Sequence, residues 1–239
     1  MHDEIVQSID GFEVSVAVLE KQGSGHRFQD EIEEEDMAGV SAVDVSGRMY
    51  RYIKRAIDVV CALAAICVLC VPLLLVSLAI YIDDPGPVFF RQYRVGRHGR
   101  RFRVYKFRSM KVDTPKYLST TEFTDSGMYI TRVGKFIRKF SIDELPQLIN
   151  VLIGDMSLVG PRPLISDEYA VHKMRTRYGV YNIRPGITGW AQINGRDAVS
   201  AAEKVRFDVQ YLESYGFWED LKILFLTIPK IMKASDVSE

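Results

Sequence analysis

VVCALAAICVLCVPLLLVSLAIYI (residues 59–82) is an unbroken run of 24 uncharged residues. As a straight helix rising ~1.5 Å per residue it would reach about 36 Å, enough to cross a bilayer's hydrocarbon core. A buried helix of a soluble protein rarely stays uncharged on every face over that length. The run starts too late for a signal peptide, and no small-residue cleavage site follows it closely. Pro72 stands at its middle. Proline removes one helical hydrogen bond and clashes with the preceding turn, which predicts a kink or break there. The arms on either side are about 13 and 10 residues, roughly 20 and 15 Å, each too short to span alone.

The flanks bear on how the run meets a membrane. Arg51, Lys54 and Arg55 precede it, and nine bases with no acid lie between Arg91 and Lys111. Basic flanks favour the cytoplasmic side. A helix that enters and returns satisfies both flanks at once, provided the backbone groups freed near Pro72 find partners within the protein or in water. A kinked spanning helix satisfies the length as well, so the residues alone leave both arrangements open.

The 239 residues suffice for one or two domains with a real core, and a hydrophobic content of 47% excludes wholesale disorder. The net charge of zero conceals a split: residues 1–50 carry twelve acids and three bases, and residues 51–239 carry nineteen acids and twenty-eight bases. A basic body suits anionic lipid, phosphate or nucleic acid. The basic stretch alone would fit a nucleic-acid binder, but the adjoining apolar run turns the reading toward a membrane, and no nucleic-acid partner is expected. Cys61, Cys67 and Cys70 all fall in the apolar run, where they are expected to act as small apolar side chains in a reducing compartment. Residues 1–50, with six acids between Asp30 and Asp36, are expected to form a flexible acidic tail.

Downstream, Val88–Val95 and Phe102–Phe107 are short, aromatic and β-branched, and predict a hairpin across Gly96–Gly99. Lys111–Tyr129 is polar and predicts a loop. Thr131–Phe140 predicts a basic amphipathic helix with Val133, Phe136, Ile137 and Phe140 on one face, suited to a membrane interface or to packing on the domain. Ile142, Leu145, Leu148, Ile149, Leu152 and Ile153 recur at helical spacing, so Ile142–Ile153 predicts a helix, with Gly154 as its C-terminal cap. A further helix is predicted over Ser200–Ser214, where Ser200 and Glu203 are spaced as a capping box, and another over Phe217–Lys233.

The chemistry centres on Ser141-Ile142-Asp143-Glu144-Leu145-Pro146-Gln147-Leu148. Taken alone, Ser141 and Glu144 fit a capping box. An ionised Asp143 could instead attack phosphorus, as carboxylates do when acyl phosphates form. Attack on a diphosphate needs its charge neutralised, by arginines and by Mg²⁺, for which Glu144 is a suitable hard oxygen ligand. Gly160-Pro161-Arg162-Pro163 fixes the backbone around Arg162, which reads equally as a rigidly presented bidentate phosphate donor or as a surface arginine in a turn. Arg184-Pro185-Gly186 and Asn194-Gly195-Arg196 frame a turn-rich loop able to bring N–H groups near a ligand. Lys106 and Arg108 close the second hairpin strand, and Arg138 lies five residues before Asp143.

At these motifs the chain resembles the monotopic polyprenyl-phosphate phosphoglycosyl transferases, bacterial sugar transferases that begin polysaccharide and glycoconjugate assembly. The likeness runs from about Arg51 to Val237, through Lys54-Arg55-Ala56-Ile57-Asp58, Tyr105–Met110, Ser141–Leu148, Gly154–Pro163 and Arg184–Arg196. It implies an α+β, mostly helical fold. A re-entrant membrane helix–break–helix over 51–84 would precede a small cytoplasmic catalytic domain over 85–239, with a short β-hairpin and interfacial amphipathic helices. It implies a UDP-sugar donor, a polyprenyl phosphate acceptor, typically undecaprenyl phosphate, and Mg²⁺. Asp143 would form a covalent phosphosugar and expel UMP, while Glu144 helped hold Mg²⁺. Arg138 matches the family's phosphate-binding arginine, Arg162 its Pro-Arg-Pro arginine, and Asp208 its later supporting acid. Some members carry Ser-Pro at the helix break, where this chain has Val71-Pro72.

The expected function is therefore transfer of a sugar-1-phosphate to polyprenyl phosphate at the cytoplasmic face of a bacterial membrane. Lys106, Arg108, Arg138, Arg162, Arg184, Arg196 and Asp208 would contact or support substrate. The rival is a non-catalytic membrane scaffold that only binds polyprenyl phosphate or partner enzymes; the intact Asp143-Glu144 pair argues against it.

Overall fold

A computed structural model describes residues 41–45, 48–114, 129–195 and 200–233. The acidic run of the expected tail, the central part of the Lys111–Tyr129 loop, and Arg196 lie outside the described residues. The last residues assigned to the tail belong to the body instead. The Val43 N–H donates to the Tyr178 carbonyl at 3.3 Å, and Val45 is fully buried beside Tyr211 and Leu212.

The long apolar run forms helix α1, Tyr50–Asp83, of 34 residues, long and apolar enough to cross a membrane. It runs through Pro72 as one helix, so the predicted division into two helices is not seen. Pro72 forfeits one bond, at a cost of about 3 kcal/mol. The turns on either side keep theirs, and the Ser77 hydroxyl adds a bond to the Leu73 carbonyl at 2.7 Å. Most of the surface of α1 is bare: Val60, Val68, Leu74, Leu75 and Leu78 are all exposed. Apolar exposure on this scale is unusual in a soluble monomer.

Strands β1 (Phe89–Val95) and β2 (Arg101–Phe107) form the expected hairpin, in antiparallel register from Phe89 opposite Phe107 to Val95 opposite Arg101. Helix α2 (Arg132–Lys139) starts at Thr131, whose hydroxyl accepts the Gly134 N–H at 2.8 Å. A 3₁₀ turn at Ile142–Glu144 leads into α3 (Gln147–Ile153), which ends at Gly154 with φ 106° as predicted. Strand β3 (Ser157–Val159) pairs in parallel with β4 (Gly186–Thr188), across the intervening α4 (Tyr169–Arg177). Helices α5 (Trp190–Asn194), α6 (Ala201–Glu213) and α7 (Phe217–Lys233) complete a mostly helical body. The Ser200–Glu203 capping box at the start of α6 is present in both directions.

The hairpin and α3 share one core with α1. Phe102, Val104, Leu148, Val151 and Met156 pack against Ala62, Ala65 and Ile66. Asn150, fully buried, fixes the register between the layers. Its side-chain carbonyl accepts the Tyr105 N–H at 3.0 Å and its amide donates to the Arg103 carbonyl at 2.7 Å. Beyond Pro72, Leu73, Val76 and Ile80 pack with Phe107 and Ile137.

The segment predicted as one helix over Ile142–Ile153 is broken, and Pro146 is the physical cause. It has no N–H to donate back to Ile142, so the Leu145 N–H closes a tighter 3₁₀ bond to the Ile142 carbonyl at 3.1 Å. Ser141 takes a left-handed conformation, φ 54°, and its side chain makes no capping bond, so the predicted capping box with Glu144 is absent. Left-handed backbone costs a non-glycine residue roughly 1–2 kcal/mol. Ser141→Gly is therefore expected to be neutral or to stabilise by up to about 1 kcal/mol in chemical denaturation. A loss of about 1 kcal/mol would instead indicate a working cap.

Candidate active site

Glu144 is where three segments meet. Its Oε1 accepts from Lys106 Nζ on β2 at 2.7 Å and from an Arg162 Nη, in the Pro-Arg-Pro segment, at 3.1 Å. Burial opposes ionisation of Glu144, but Arg162 and Lys106 outweigh it and hold the carboxyl well below the ordinary range. Asp143 responds in the opposite sense. Burial, with Glu144 adding to it, pushes its pKa up to about 6 against the pull of Lys106, Arg138 and Arg162. Two neighbouring carboxylates thus have opposed environments, the usual sign of divided labour in a site. Asp143 remains mostly ionised at neutral pH, yet is more basic, and so more nucleophilic, than an ordinary aspartate.

Arg162 is held by tight backbone packing behind it. The Gly186 N–H donates to the Pro161 carbonyl at 3.0 Å and the Gly160 N–H to the Thr188 carbonyl at 2.9 Å. A Cβ at Gly186 would lie 2.1 Å from the Gly160 nitrogen, and one at Gly189 would lie 2.1 Å from the Gly160 oxygen. Gly186 and Gly189 thus admit the Pro-Arg-Pro backbone, and the segment predicted as a loop, which forms β4 and α5, serves as its scaffold. Below it, Arg175 donates to the Arg162 carbonyl at 2.8 Å and pairs with Asp208 at 2.6 Å, both side chains nearly fully buried. Burial works against the charge on Arg175, but Asp208 more than compensates and raises its pKa.

The structure gathers some of the predicted residues and separates others. Lys106 and Arg162 touch Glu144, and Arg138 lies close enough to act on Asp143. Asp208 reaches the site only through Arg175 and the Arg162 backbone. Arg108 does not face the dyad: it is buried against Asp84 at the end of α1, with an ion pair at 3.0 Å. Arg184 Nε donates to the Gly154 carbonyl at 2.8 Å, at the opposite end of α3 from the dyad. The Arg108 N–H still donates to the Val88 carbonyl at 2.8 Å, just past the end of β2, but its side chain is drawn to Asp84 instead of the dyad.

Two arginines were missed from sequence. Arg94 sits on β1 within reach of Arg162, Glu168 and Glu144, and burial followed by repulsion from Arg162 lowers its pKa to about 10. Alternation along the hairpin could have found it, because Phe90 opposite Lys106 and Arg94 opposite Phe102 lie on one face. Arg175 carried no local signal. Nearby His172 is structural. Its Nε2–H donates to the Ile165 carbonyl at 2.7 Å, Nδ1 accepts from the Tyr181 hydroxyl, and burial lowers its pKa to about 4.

No cluster of three or more His, Cys, Asp or Glu side chains that could hold a metal occurs among the described residues. The dyad still fits Mg²⁺ as it is held on diphosphates, by one or two carboxylates with the remaining ligands from substrate and water.

The buried pair and the partly exposed arginine it supports separate in stability. Asp208→Asn leaves Arg175 charged and uncompensated, and is expected to cost about 3–5 kcal/mol in denaturant unfolding. Arg162→Ala, at the half-exposed end, is expected to cost about 1 kcal/mol or less. Equal small losses would mean that Asp208 has no structural share in the site.

The same motifs place the chain among known proteins. A family model described as "Bacterial sugar transferase" matches residues 49–234. The chain is 42% identical over 189 residues to the uncharacterized sugar transferase EpsL of Bacillus subtilis, covering 78% of this chain and 91% of that protein. It is 42% identical over 209 residues to the UDP-glucose:undecaprenyl-phosphate glucose-1-phosphate transferase of Escherichia coli, covering 82% of this chain and 44% of that enzyme. It is 41% identical over 190 residues to an N-acetylgalactosaminephosphotransferase of Aeromonas hydrophila that is named for undecaprenyl phosphate, covering 77% of this chain and 44% of that one. The chain thus spans nearly all of one relative and less than half the length of the other two. With the model covering most of the chain and the dyad and Pro-Arg-Pro elements assembled at one carboxylate, this chain belongs to the bacterial sugar transferase family.

Proposed function

We propose that the protein moves a sugar-1-phosphate from a UDP-sugar to polyprenyl phosphate, releasing UMP. An Asp143 carboxylate oxygen bonds to the β-phosphorus of the donor. The bond from that phosphorus to the bridging oxygen breaks, and UMP leaves with that oxygen. A phosphate oxygen of the polyprenyl acceptor then displaces Asp143, giving polyprenyl-diphosphate-sugar and a free carboxylate. The observation that carries the reading is the split pair: a basic Asp143 beside a Glu144 locked as an anion by Lys106 and Arg162. Arg138, Arg162 and Arg94 supply fixed positive charge where phosphate oxygens would gather, at no reorganisation cost during reaction. Mg²⁺ held through Glu144 would spread the charge of the donor diphosphate. The names of two relatives, specifying glucose and N-acetylgalactosamine, support a UDP-sugar donor and undecaprenyl phosphate acceptor as the class.

The membrane reading rests on α1. Ahead of Pro72, Arg55 donates to the Val151 and Leu152 carbonyls, and Asp58 accepts the Leu158 N–H at 3.1 Å. Beyond it, Asp83 accepts the Val133 N–H at 2.9 Å and Asp84 pairs with Arg108. Both ends of the apolar helix are thus fastened to one body. That favours a helix dipping into one leaflet over one crossing to the far side, with basic flanks placing the body at the cytoplasmic face of a bacterial membrane. Held there, Asp143 would meet a soluble donor and an embedded acceptor at the headgroup layer.

A UMP-release assay with a panel of UDP-sugars tests the reaction. Asp143→Asn is expected to abolish release, and full activity would remove Asp143 as nucleophile. The pH dependence carries a second expectation. Because protonated Asp143 cannot attack, kcat/KM should rise with pH through about 6, whereas an unperturbed aspartate would place this limb near 3.8. The same raised pKa means that the folded state binds this proton more tightly than the unfolded chain. Its contribution therefore lowers stability as pH rises from 3.8 to about 6.

A further inference from the structure

The cations that the dyad does not use are also gathered. Arg55 donates to the carbonyls of Val151 at 2.7 Å and Leu152 at 3.1 Å, and Arg184 to that of Gly154 at 2.8 Å. Arg97, in the turn between β1 and β2, donates Nε to the Asn182 carbonyl at 3.0 Å. With Arg51 they line one cleft, so four guanidinium groups share it with Asp58, which already accepts the Leu158 N–H. Lys54, on the same wall, is paired with Asp220. The cleft lies at the C-terminal end of α3, a helix of seven residues or ~10 Å, and the dyad lies at its other end.

The cluster is built. Three of its arginines are fixed by backbone carbonyls from different segments, and a neutral acceptor orients a guanidinium without cancelling its charge. The bonds of Arg97 and Arg184 to protein use Nε, which leaves their Nη donors for a ligand. Asp58 and Tyr215 offset the crowding only in part. Burial and then like-charged neighbours lower the pKa of both: Arg51 and Arg184 act on Arg97, and Arg55 acts on Arg184. A bound anion would reverse that sign.

We infer that Arg51, Arg55, Arg97 and Arg184 form a second anion site, distinct from the dyad, that binds a phosphate group. Guanidinium forks match phosphate oxygens bidentately. Arg55 stands four residues, ~6 Å of helix, before the apolar run begins at Val59. If α1 enters the bilayer there, the cleft lies at the depth of phospholipid phosphates, and the ligand is an anionic lipid headgroup. A soluble phosphate carries the same chemistry. Only the lipid source rests on the proposed membrane placement, and the site does not rest on the transferase reaction.

The test uses the full chain in detergent micelles, melted in sodium phosphate and in sodium chloride of matched ionic strength. The unaltered protein is expected to melt about 3–6 °C higher in phosphate at tenfold its Kd. Arg97→Gln should lose most of that shift and Arg97→Lys should keep at least half. Arg132→Gln, which removes an exposed charge from α2, should keep all of it. In a second arm the same proteins are floated with phosphatidylcholine vesicles, with or without phosphatidylglycerol. A preference for the anionic vesicles that falls several-fold in Arg97→Gln, but not in Arg132→Gln, assigns the phosphate to lipid. A phosphate shift without that preference upholds the site with a soluble source. The proposal is overturned if Arg97→Gln keeps the full phosphate shift, or if Arg132→Gln loses as much. Neither arm reads sugar transfer, so an absence of UMP release would leave both results standing.

Discussion

One carboxylate oxygen, Glu144 Oε1, ties together the hairpin, the dyad turn and the Pro-Arg-Pro segment. Lys106 reaches it from 38 residues away and Arg162 from 18 residues away, on opposite sides in sequence. Each partner arrives by its own support. Lys106 sits on a strand stitched to α3 by the Asn150 amide, and Arg162 on a segment locked between Gly186, Gly189 and the Arg175–Asp208 pair. Glu144 itself is presented by a 3₁₀ turn that Pro146 imposes. Satisfying this anion so completely leaves Asp143, its neighbour, as the dyad carboxylate raised toward neutrality. In the proposed reaction, Asp143 would start its attack on phosphorus from a site that has already removed much of its solvation.

The same economy of attachment governs α1. Its apolar surface demands lipid or another apolar cover, but its polar ends do not float free. Arg55, Asp58, Asp83 and Asp84 each make a specific bond to the body that carries the dyad. Under the proposed membrane placement, insertion and site assembly would be mechanically linked: a shift of α1 would move the α3 end through Arg55 and the start of α2 through Asp83. The cation cleft beside Arg51 lies on that linkage, where the lipid surface and the globular body would meet.

Much of this was legible in sequence wherever the determinant is local. The hairpin, the Gly154 cap, the Ser200–Glu203 capping box and the long apolar helix all follow from neighbouring residues and came out at or near their expected bounds. The failures at the site come from distant partners, unlike the helix break at Pro146 and the continuity of α1 through Pro72. Ser141 and Glu144 have capping-box spacing, but Glu144 is claimed by two distant cations, which outbid a local bond in a partly buried setting. Arg108 and Arg184 sit in the predicted motifs but away from the dyad, Arg108 against Asp84 and Arg184 at the far end of α3. Arg94 was within reach of the hairpin's alternation, whereas Arg175 matters through tertiary proximity that no spacing announces. Family resemblance supplied the identity of the dyad, and the geometry added why its two carboxylates differ.

The central claim is that Asp143 becomes covalently joined to a sugar phosphate. An active preparation, given UDP-sugar without acceptor, quenched in mid-turnover and digested, can be examined by mass spectrometry for the peptide spanning Ser141–Leu148. The account predicts a hexose- or N-acetylhexosamine-phosphate adduct on Asp143 that disappears when polyprenyl phosphate is added. An active enzyme that never shows the adduct, or shows it on another residue, would contradict it.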